Sequence, residues 1–214
     1  MAMDTRPRYL AVEGPPGVGK TALSKLLVER MGARAVLEPG PNPFLDGLYR
    51  DPGKAAFQSQ LYTLLSRYQQ KDAFHQEDLF ARGGVISDYL FAADRISALA
   101  NLSRDELLLY DKVYGLFGRE VPRPDLVVYL QARPEVLLGR LRKRGPGPLP
   151  SRDYVEKIAH AYAEFFFHYG DGPLLVVNTS EIDFVERRPD LDDLQAVILK
   201  TRNGVSHYSP LGSR

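Results

Sequence analysis

The sequence predicts a three-layer α/β fold in which helices flank both faces of a five-stranded parallel sheet. One observation is the glycine-rich loop GPPGVGKT, which stands between an apolar run and a helical pattern. Another is that short apolar runs recur along the chain with helical segments between them. The 214 residues, 44% of them hydrophobic, suffice for one well-cored domain and are short for two. We therefore expect residues 1–214 to form a single domain.

Five apolar runs predict the strands: RYLAVE (8–13), ARAVLE (33–38), GVISDY (84–89), DLVVYLQA (125–132) and PLLVVNTS (173–180). Continuous apolar runs are typical of parallel strands, because helices cover both faces of the sheet. Ligands of such sheets bind beyond the carboxyl ends of the strands. The residues that close the runs are therefore candidates for a site: Glu13, Glu38, Asp88, Gln131 and Asn178.

Helical patterns fill the intervening segments: 21–31, 52–80, 104–118, 151–169 and 191–201. Pro52 near the start of the second segment and Gly32 after the first are typical of helix ends. In the second segment, Gln60 and Arg67 fall on the edge of an apolar stripe made of Phe57, Leu61, Leu64, Leu65 and Tyr68. We expect the tail, about 203–214, to be loosely ordered.

Composition and charge exclude several classes of function. A formal net charge of +1 gives no bulk attraction to nucleic acid or to an anionic membrane. No apolar run approaches the roughly 18 residues of a membrane span, and MAMDTRPRYL lacks the apolar core of a signal peptide. The absence of cysteine excludes disulfides and a cysteine nucleophile. We expect a cytoplasmic protein that binds neither nucleic acid nor membrane.

The loop from Gly14 to Thr21 predicts a site for a nucleoside triphosphate with Mg²⁺. It fits the pattern of glycine, four residues, then Gly-Lys-Thr, directly after a strand and before a helix. Gly14, Gly17 and Gly19 let the backbone turn and approach the phosphates. Lys20 supplies a positive charge, and Thr21 supplies a hydroxyl for Mg²⁺.

Phosphoryl transfer further needs a metal ligand, a group that orients or deprotonates the acceptor, and cations. Asp88 ends a strand where it could share Mg²⁺ with Thr21, and Glu38 ends another where it could accept a proton. Arg140 and Arg144 share one face at a helix end and could close on the triphosphate as a lid, about 140–153. The alternatives are strand-end carboxylates that cap a helix and a basic helix end that offsets the dipole.

These motifs, in this order, resemble the deoxyribonucleoside kinase family over most of the chain, from about Tyr9 to Phe184. The resemblance implies the P-loop kinase fold of thymidylate kinase and transfer of the ATP γ-phosphate to a nucleoside 5′-hydroxyl. LEPGPNPF resembles the Glu-Pro element of the family, which implies that Glu38 is the general base. GLYRDP resembles the segment whose tyrosine, here Tyr49, contacts the sugar.

The segment AFQSQLYTLLSR resembles the base-binding helix of the family. This resemblance implies that Gln60 pairs with the nucleobase, that Arg67 supports Gln60, and that Phe57 helps to line the pocket. SDYLFAADR resembles an acidic element followed by an Asp-Arg pair, which gives Asp88 a role at Mg²⁺ and Asp94 a role in base recognition.

Three further implications follow from the same resemblance. Arg140 and Arg144 match the lid arginines, and NTSEIDF resembles the loop that passes the ATP adenine, with Phe184 near the ring. A homodimer packed through helices, including 104–118, is also implied. The apolar stripes LLLY and VYGLF of that segment would suit a buried core equally well.

Two departures from the family bear on the acceptor. Tyr89, counted here with the substrate-binding residues, stands where the family usually has arginine, so one cation near the 5′-oxygen is missing. The lid is short and has no glutamate between Arg144 and Tyr154 for the sugar 3′-hydroxyl. Either another residue substitutes, for example Arg95 or Arg142, or the acceptor differs.

Three functions stay open. The first is a deoxynucleoside kinase for which a purine, such as deoxyadenosine or deoxyguanosine, is favoured, because Gln60, Arg67 and Asp94 offer both donors and acceptors. The second is a nucleoside monophosphate kinase of the same fold, which would need a cationic clamp near Tyr49, where Arg50 is the obvious candidate. The third is an ATP-binding sensor that transfers no phosphate.

Overall fold

The computed structural model describes residues 7–74, 83–145 and 147–209 and shows one sheet of six strands. The strands are β1 (Tyr9–Glu13), β2 (Arg34–Val36), β3 (Val85–Ser87), β4 (Leu126–Gln131), β5 (Leu174–Asn178) and β6 (Val205–Tyr208). All neighbouring strands are parallel, in the order β2-β3-β1-β4-β5-β6. The predicted parallel α/β fold is thereby confirmed.

The sixth strand corrects the predicted number of strands and, for residues 205–208, the predicted loose tail; residues 210–214 of that tail lie outside the described residues. β6 pairs with β5 in the register Leu174↔Val205 to Val177↔Tyr208. The Tyr208 hydroxyl also donates to Asp193. Val205 is 55% exposed, as expected of an edge strand that is covered less than a central one. The segment VSHY therefore lacks the continuous apolar run by which the five other strands were predicted.

Within the described residues, eight α-helices surround the sheet: α1 (Lys20–Met31), α2 (Leu45–Arg50), α3 (Pro52–Gln69), α4 (Asp94–Asn101), α5 (Arg104–Phe117), α6 (Pro134–Lys143), α7 (Arg152–Phe167) and α8 (Arg188–Lys200). The sequence did not predict α2 and α4, which are too short to show a helical period. The helix predicted over 52–80 ends at Gln69 and is followed by a 3₁₀ turn, Lys71–Phe74. Residues 75–80 of that prediction lie outside the described residues.

Two apolar layers cover the sheet, which confirms the three-layer prediction. On one face, alternate residues of β1, β4 and β5 pack against α1, α6 and α8. On the other face, the intervening residues pack against α4 and α7. No helix in the described parts of the chain is long and apolar enough to cross a membrane.

Helix α3 buries a polar edge in addition to most of its predicted apolar stripe. Leu65, in the stripe, is 39% exposed, whereas Gln60 and Arg67, predicted at its edge, are 5% and 9% exposed. The reason is that α3 has two partners. Leu64 packs in a small apolar cluster with Tyr110 of α5, and the polar residues face a cavity.

Candidate active site

The phosphate loop after β1 is braced by a buried carboxylate. Glu13 is 0% exposed, and its two oxygens accept hydrogen bonds from the backbone N–H groups of Gly14 and Leu90, both at 2.8 Å. The Tyr162 hydroxyl contacts the same carboxylate at 3.3 Å. Because Leu90 follows β3, Glu13 fixes the start of the loop against the exit of the neighbouring strand.

Two loop glycines are required by the packing of the loop itself. Gly17 and Gly19 have φ values of +84° and +106°, which residues other than glycine rarely adopt. A Cβ at Gly17 would lie 2.8 Å from the Leu137 carbonyl oxygen, and a Cβ at Gly19 would lie 2.9 Å from Phe184 Cζ. The Phe184 ring is 4% exposed and therefore supports the loop from within the core. Its contact with adenine stays a prediction.

The polar residues of the loop meet the acidic strand ends as predicted. Lys20 Nζ donates to the Gly14 carbonyl at 2.6 Å. The Thr21 hydroxyl donates to one oxygen of Asp88, and the other oxygen of Asp88 accepts the backbone N–H of Glu38 at 2.6 Å. The ends of β2 and β3 are thus joined to the first turn of α1.

The oxygen atoms of Thr21 and Asp88 fit a Mg²⁺ ion. This cation prefers oxygen ligands and usually takes one or two from the protein and the others from phosphates and water. Among the described residues, no group of three or more histidines or carboxylates could hold a metal ion alone. A cation here would therefore be shared with the phosphates of a nucleotide.

A buried guanidinium joins two carboxylates beside this point. Arg67 donates to Glu38 through Nε at 3.1 Å and Nη2 at 2.6 Å, and to Asp94 through Nη1 at 2.8 Å. Asp94 also accepts the hydroxyl hydrogen of Tyr110. The sequence predicted these residues for the site, but it assigned Arg67 to support Gln60. The structure instead shows Arg67 bound to the two carboxylates.

The shared guanidinium affects the two carboxylates differently. Burial would raise the pKa of Glu38, but the charges and hydrogen bonds of Arg67, with the charge of Lys20, lower it below the ordinary 4.5. Burial raises the pKa of Asp94 above 3.8 despite the pull of Arg67. Since one guanidinium cannot neutralise two carboxylates, the more exposed Glu38, whose side chain is 38% exposed, holds its negative charge more readily.

A cavity of about 510 Å³ opens beside Glu38, a volume within the range of small-molecule sites. Its walls come from the segment 38–49, from α3, from the start of α4 and from the chain between α6 and α7. Tyr49 and Tyr154 line it as an edge-to-face pair with ring centroids 5.5 Å apart. Burial raises the pKa of Tyr49 to about 12, so its hydroxyl stays protonated.

Several of the predicted site residues line this cavity together: Lys20, Glu38, Tyr49, Gln60, Arg67, Asp94 and Arg144. Two of the predicted substrate-binding residues do not line it, and those predictions are corrected. Phe57 packs in the apolar cluster of Leu64 and Tyr110, because it lies on the other face of α3. Tyr89 is 0% exposed and lies beneath Arg67, so it does not reach the cavity.

The two predicted lid arginines have different surroundings. Arg140 donates to the Thr179 hydroxyl at 2.9 Å and to the carbonyls of Thr179, Ile182 and Val18 at 2.7, 3.2 and 3.3 Å. It thus fastens α6 to the chain after β5 and to the phosphate loop. Arg144, at the end of α6, lines the cavity. Only Arg144 is placed as the lid prediction requires.

Four positioning residues were missed by the sequence reasoning. The sequence marked Glu13 as a strand end but gave it no role, and it marked Tyr154 only as the end of the lid segment. Tyr110 and Gln70 carried no signal, because a tyrosine and a glutamine on helices are ordinary. The roles of these four residues depend on contacts between segments that are distant in the sequence, and only the structure shows those contacts.

Comparisons with known proteins agree on one family. A model of the deoxynucleoside kinase family matches residues 10–201. A deoxyguanosine kinase of Bacillus subtilis (strain 168) is 34% identical over 165 residues, covering 76% of this chain and 75% of that protein. A deoxyadenosine kinase of Lactobacillus acidophilus is 27% identical over 190 residues, covering 83% and 88%.

A solved structure shares the fold. Deoxyadenosine kinase from M. mycoides with bound dATP superposes with a TM-score of 0.74 and 25% sequence identity. The match covers 89% of this chain and 98% of that chain.

The Glu13 brace gives a first testable prediction. In Glu13→Gln, the amide keeps one acceptor oxygen but turns its NH₂ group toward one of the two backbone N–H groups, which then lacks a partner. We expect the free energy of unfolding to fall by about 1–3 kcal/mol and ATP to bind more weakly. Denaturant unfolding and calorimetric titration with ATP measure the two effects.

The matched control is Glu181→Gln, which breaks an exposed ion pair with Arg133 whose side chains are 58% and 64% exposed. We expect no measurable change in that variant. If Glu13→Gln unfolded at the same midpoint concentration of denaturant as the wild type, the stabilising role of the Glu13 hydrogen bonds would be contradicted.

Proposed function

The chain belongs to the deoxynucleoside kinase family and phosphorylates a nucleoside, and we propose that its acceptor is a purine deoxynucleoside. In this proposal the 5′-hydroxyl receives the γ-phosphate of ATP in the presence of Mg²⁺. The observation that carries the binding of a nucleobase is Gln60, which lines the same cavity as Glu38, and the choice of a purine follows from the relatives.

Gln60 carries a largely buried amide that forms no hydrogen bond within the described residues. It is 5% exposed and lines the cavity, and no group of the described residues forms a hydrogen bond with its side chain. An amide offers an acceptor oxygen and two donor hydrogens, so it can pair with two adjacent polar atoms of one base edge. Arg67 is held by Glu38 and Asp94, whereas Gln60 has no such bonds in the described part of the chain and can read the base.

A purine fits this arrangement. The amide suits an adenine edge, where an amino donor stands beside a ring-nitrogen acceptor, and the Watson–Crick edge of guanine, where O6 stands beside the N1 donor. Pyrimidine edges carry such pairs as well, so the choice of a purine rests on the relatives. Similarity to a deoxyguanosine kinase and a deoxyadenosine kinase supports the same class of acceptor.

The residues around the cavity can assist the transfer. The 5′-oxygen attacks the γ-phosphorus, the bond from that phosphorus to the bridging oxygen of the β-phosphate breaks, and ADP leaves. Glu38, kept ionised by Arg67, accepts the proton of the 5′-hydroxyl. Lys20 and Arg144 place positive charge on the phosphate side of the cavity.

Thr21 and Asp88 would hold Mg²⁺ together with the ATP phosphates. The ion would neutralise charge on the β- and γ-phosphates.

The two other functions fit less well. Arg50, the candidate for a monophosphate clamp near Tyr49, is paired with Asp46 at 3.0 Å, is 78% exposed in its side chain and does not line the cavity. Because the charge of Arg144 does act on Tyr49, the similarity to deoxynucleoside kinases, and not a lack of positive charge, decides against a monophosphate acceptor. A sensor would not need a carboxylate such as Glu38 next to the phosphate loop. We therefore favour the deoxynucleoside, phosphorylated in the cytoplasm.

We also propose a homodimer formed through α5. Leu108, Leu109 and Leu116 of this helix are 58%, 52% and 70% exposed, and Leu99 of α4 is 53% exposed. The predicted stripes are therefore not all core. A second copy packed on this face would bury an apolar surface that is costly in water.

Turnover by the Glu38→Gln variant tests the proposed base. The amide cannot accept the proton, so we expect kcat to fall by about 10²- to 10⁴-fold while ATP binding stays at the wild-type level. The assay uses ATP and Mg²⁺ with a panel of deoxynucleosides, ribonucleosides and deoxynucleoside monophosphates. Glu120→Gln, on the surface beside Lys71, is the control. Wild-type turnover by Glu38→Gln would rule out the role.

Gln60→Leu tests base recognition. We expect kcat/KM for the preferred purine deoxynucleoside to fall about 10- to 100-fold, because a bidentate pair is lost. Gln58→Leu, an exposed glutamine on the same helix, is the matched control. An unchanged kcat/KM in Gln60→Leu would show that another group reads the base.

The oligomeric state tests the α5 face. Sedimentation should give twice the chain mass of 24.0 kDa for the wild type and the single mass for Leu108→Glu/Leu116→Glu, since two carboxylates cannot be buried without partners. Val185→Glu, on an exposed loop residue, serves as the control. A monomeric wild type at micromolar concentration would refute the dimer.

A further inference from the structure

Tyr89 connects to Glu38 by two routes. Its ring lies under the guanidinium of Arg67, with 4.8 Å between Arg67 Cζ and the ring centroid. Its hydroxyl donates to Gln70 Oε1 at 2.8 Å, and Gln70 Nε2 donates to the Leu37 carbonyl at 2.9 Å. One route therefore ends on the Glu38 side chain, and the other ends on the backbone just before it.

The contacts of Arg67 explain why the ring matters. The two carboxylates hold the guanidinium by its edges and thereby fix its position within its own plane. Hydrogen bonds of this kind resist a displacement along the plane normal only weakly. Arg67 Cζ lies over the Tyr89 ring, so the ring adds a contact that the carboxylates do not supply, and its π system attracts the cation. An aliphatic side chain at position 89 would fill space without this attraction.

The contacts also show where the local positive charge comes from. Tyr89 brings none to the point where β3 ends, and the cation next to Glu38 comes from α3 instead, as Arg67. Arg67 is 9% exposed and Tyr89 is 0% exposed, so little water competes with the contact between them. Cation–π contacts are strongest in such desolvated surroundings.

We propose that Tyr89 is a positioning residue for phosphoryl transfer, which holds the Arg67 guanidinium and through it the Glu38 carboxylate toward the 5′-hydroxyl. The inference rests on the proposed role of Glu38 as the base. Tyr89 acts on the orientation of Glu38. In this proposal it contacts neither the nucleobase of the acceptor nor the phosphates of ATP. Its loss should therefore lower kcat and leave KM for ATP unchanged.

The experiment compares Tyr89→Leu, which removes the ring, with Tyr89→Phe, which keeps it. We expect kcat of Tyr89→Leu to fall about 10- to 30-fold, the range of a desolvated cation–π contact, with an unchanged KM for ATP. Tyr89→Phe should keep kcat within about threefold of the wild type, because the attraction lies in the ring. Phe166→Leu, an aromatic residue of the same core cluster without contact to Arg67, is the control for a loss of packing and should keep the wild-type kcat.

Thermal melting and ATP titration verify the fold of each variant. A folded Tyr89→Leu with wild-type kcat, or an equal fall of kcat in Tyr89→Leu and Phe166→Leu, would overturn the proposal. If Tyr89→Leu does not fold, Tyr89→Met replaces it, because methionine fills more of the space of the ring but has no aromatic π system. A fall of at least about 10-fold in kcat is then expected, and a wild-type kcat overturns the proposal.

Glu38→Gln is assayed in parallel to separate the two proposals. If Glu38→Gln is inactive and a folded Tyr89→Leu is fully active, the positioning role alone fails. If Glu38→Gln is active, the role of the base fails and the positioning role fails with it.

Discussion

The hydrogen bonds of Glu13 are the interaction on which the site depends. One carboxylate joins the first residue of the phosphate loop, the chain after β3 and α7, three segments that come from distant parts of the sequence. Because the carboxylate is wholly buried, its bonds are not weakened by water, and no ordinary apolar side chain could replace them. The backbone of the loop is therefore positioned before any nucleotide binds. Binding then loses less conformational entropy of the loop.

Beside the phosphate loop, one positive side chain is shared by two negative ones. Arg67 serves two carboxylates, so the cavity wall keeps one net negative charge from this trio, and the lowered pKa of Glu38 places that charge at the side of the proposed acceptor hydroxyl. Lys20 and Arg144, which line the same cavity, offer positive charge to phosphates. In the proposed complex, a nucleoside and a triphosphate therefore meet charges of both signs within one cavity.

The sequence predicted most of the sheet and the central part of the site, for one physical reason. Continuous apolar runs identify buried parallel strands, and the carboxyl ends of such strands share one edge, so Thr21, Glu38 and Asp88 could be placed together. The same logic failed for β6, because an edge strand needs no apolar run. It also failed for Phe57 and Tyr89, because a stripe or position along the chain does not show whether an aromatic ring faces a cavity, another helix or a buried cation.

The double attachment of Arg67 has a consequence for fidelity. Asp94 and Glu38, which line one cavity, bind the same guanidinium. If the two residues have their proposed roles, a nucleobase that displaces Asp94 also shifts Arg67 and misaligns Glu38. Discrimination between nucleosides would then be exercised in the chemical step as well as in binding.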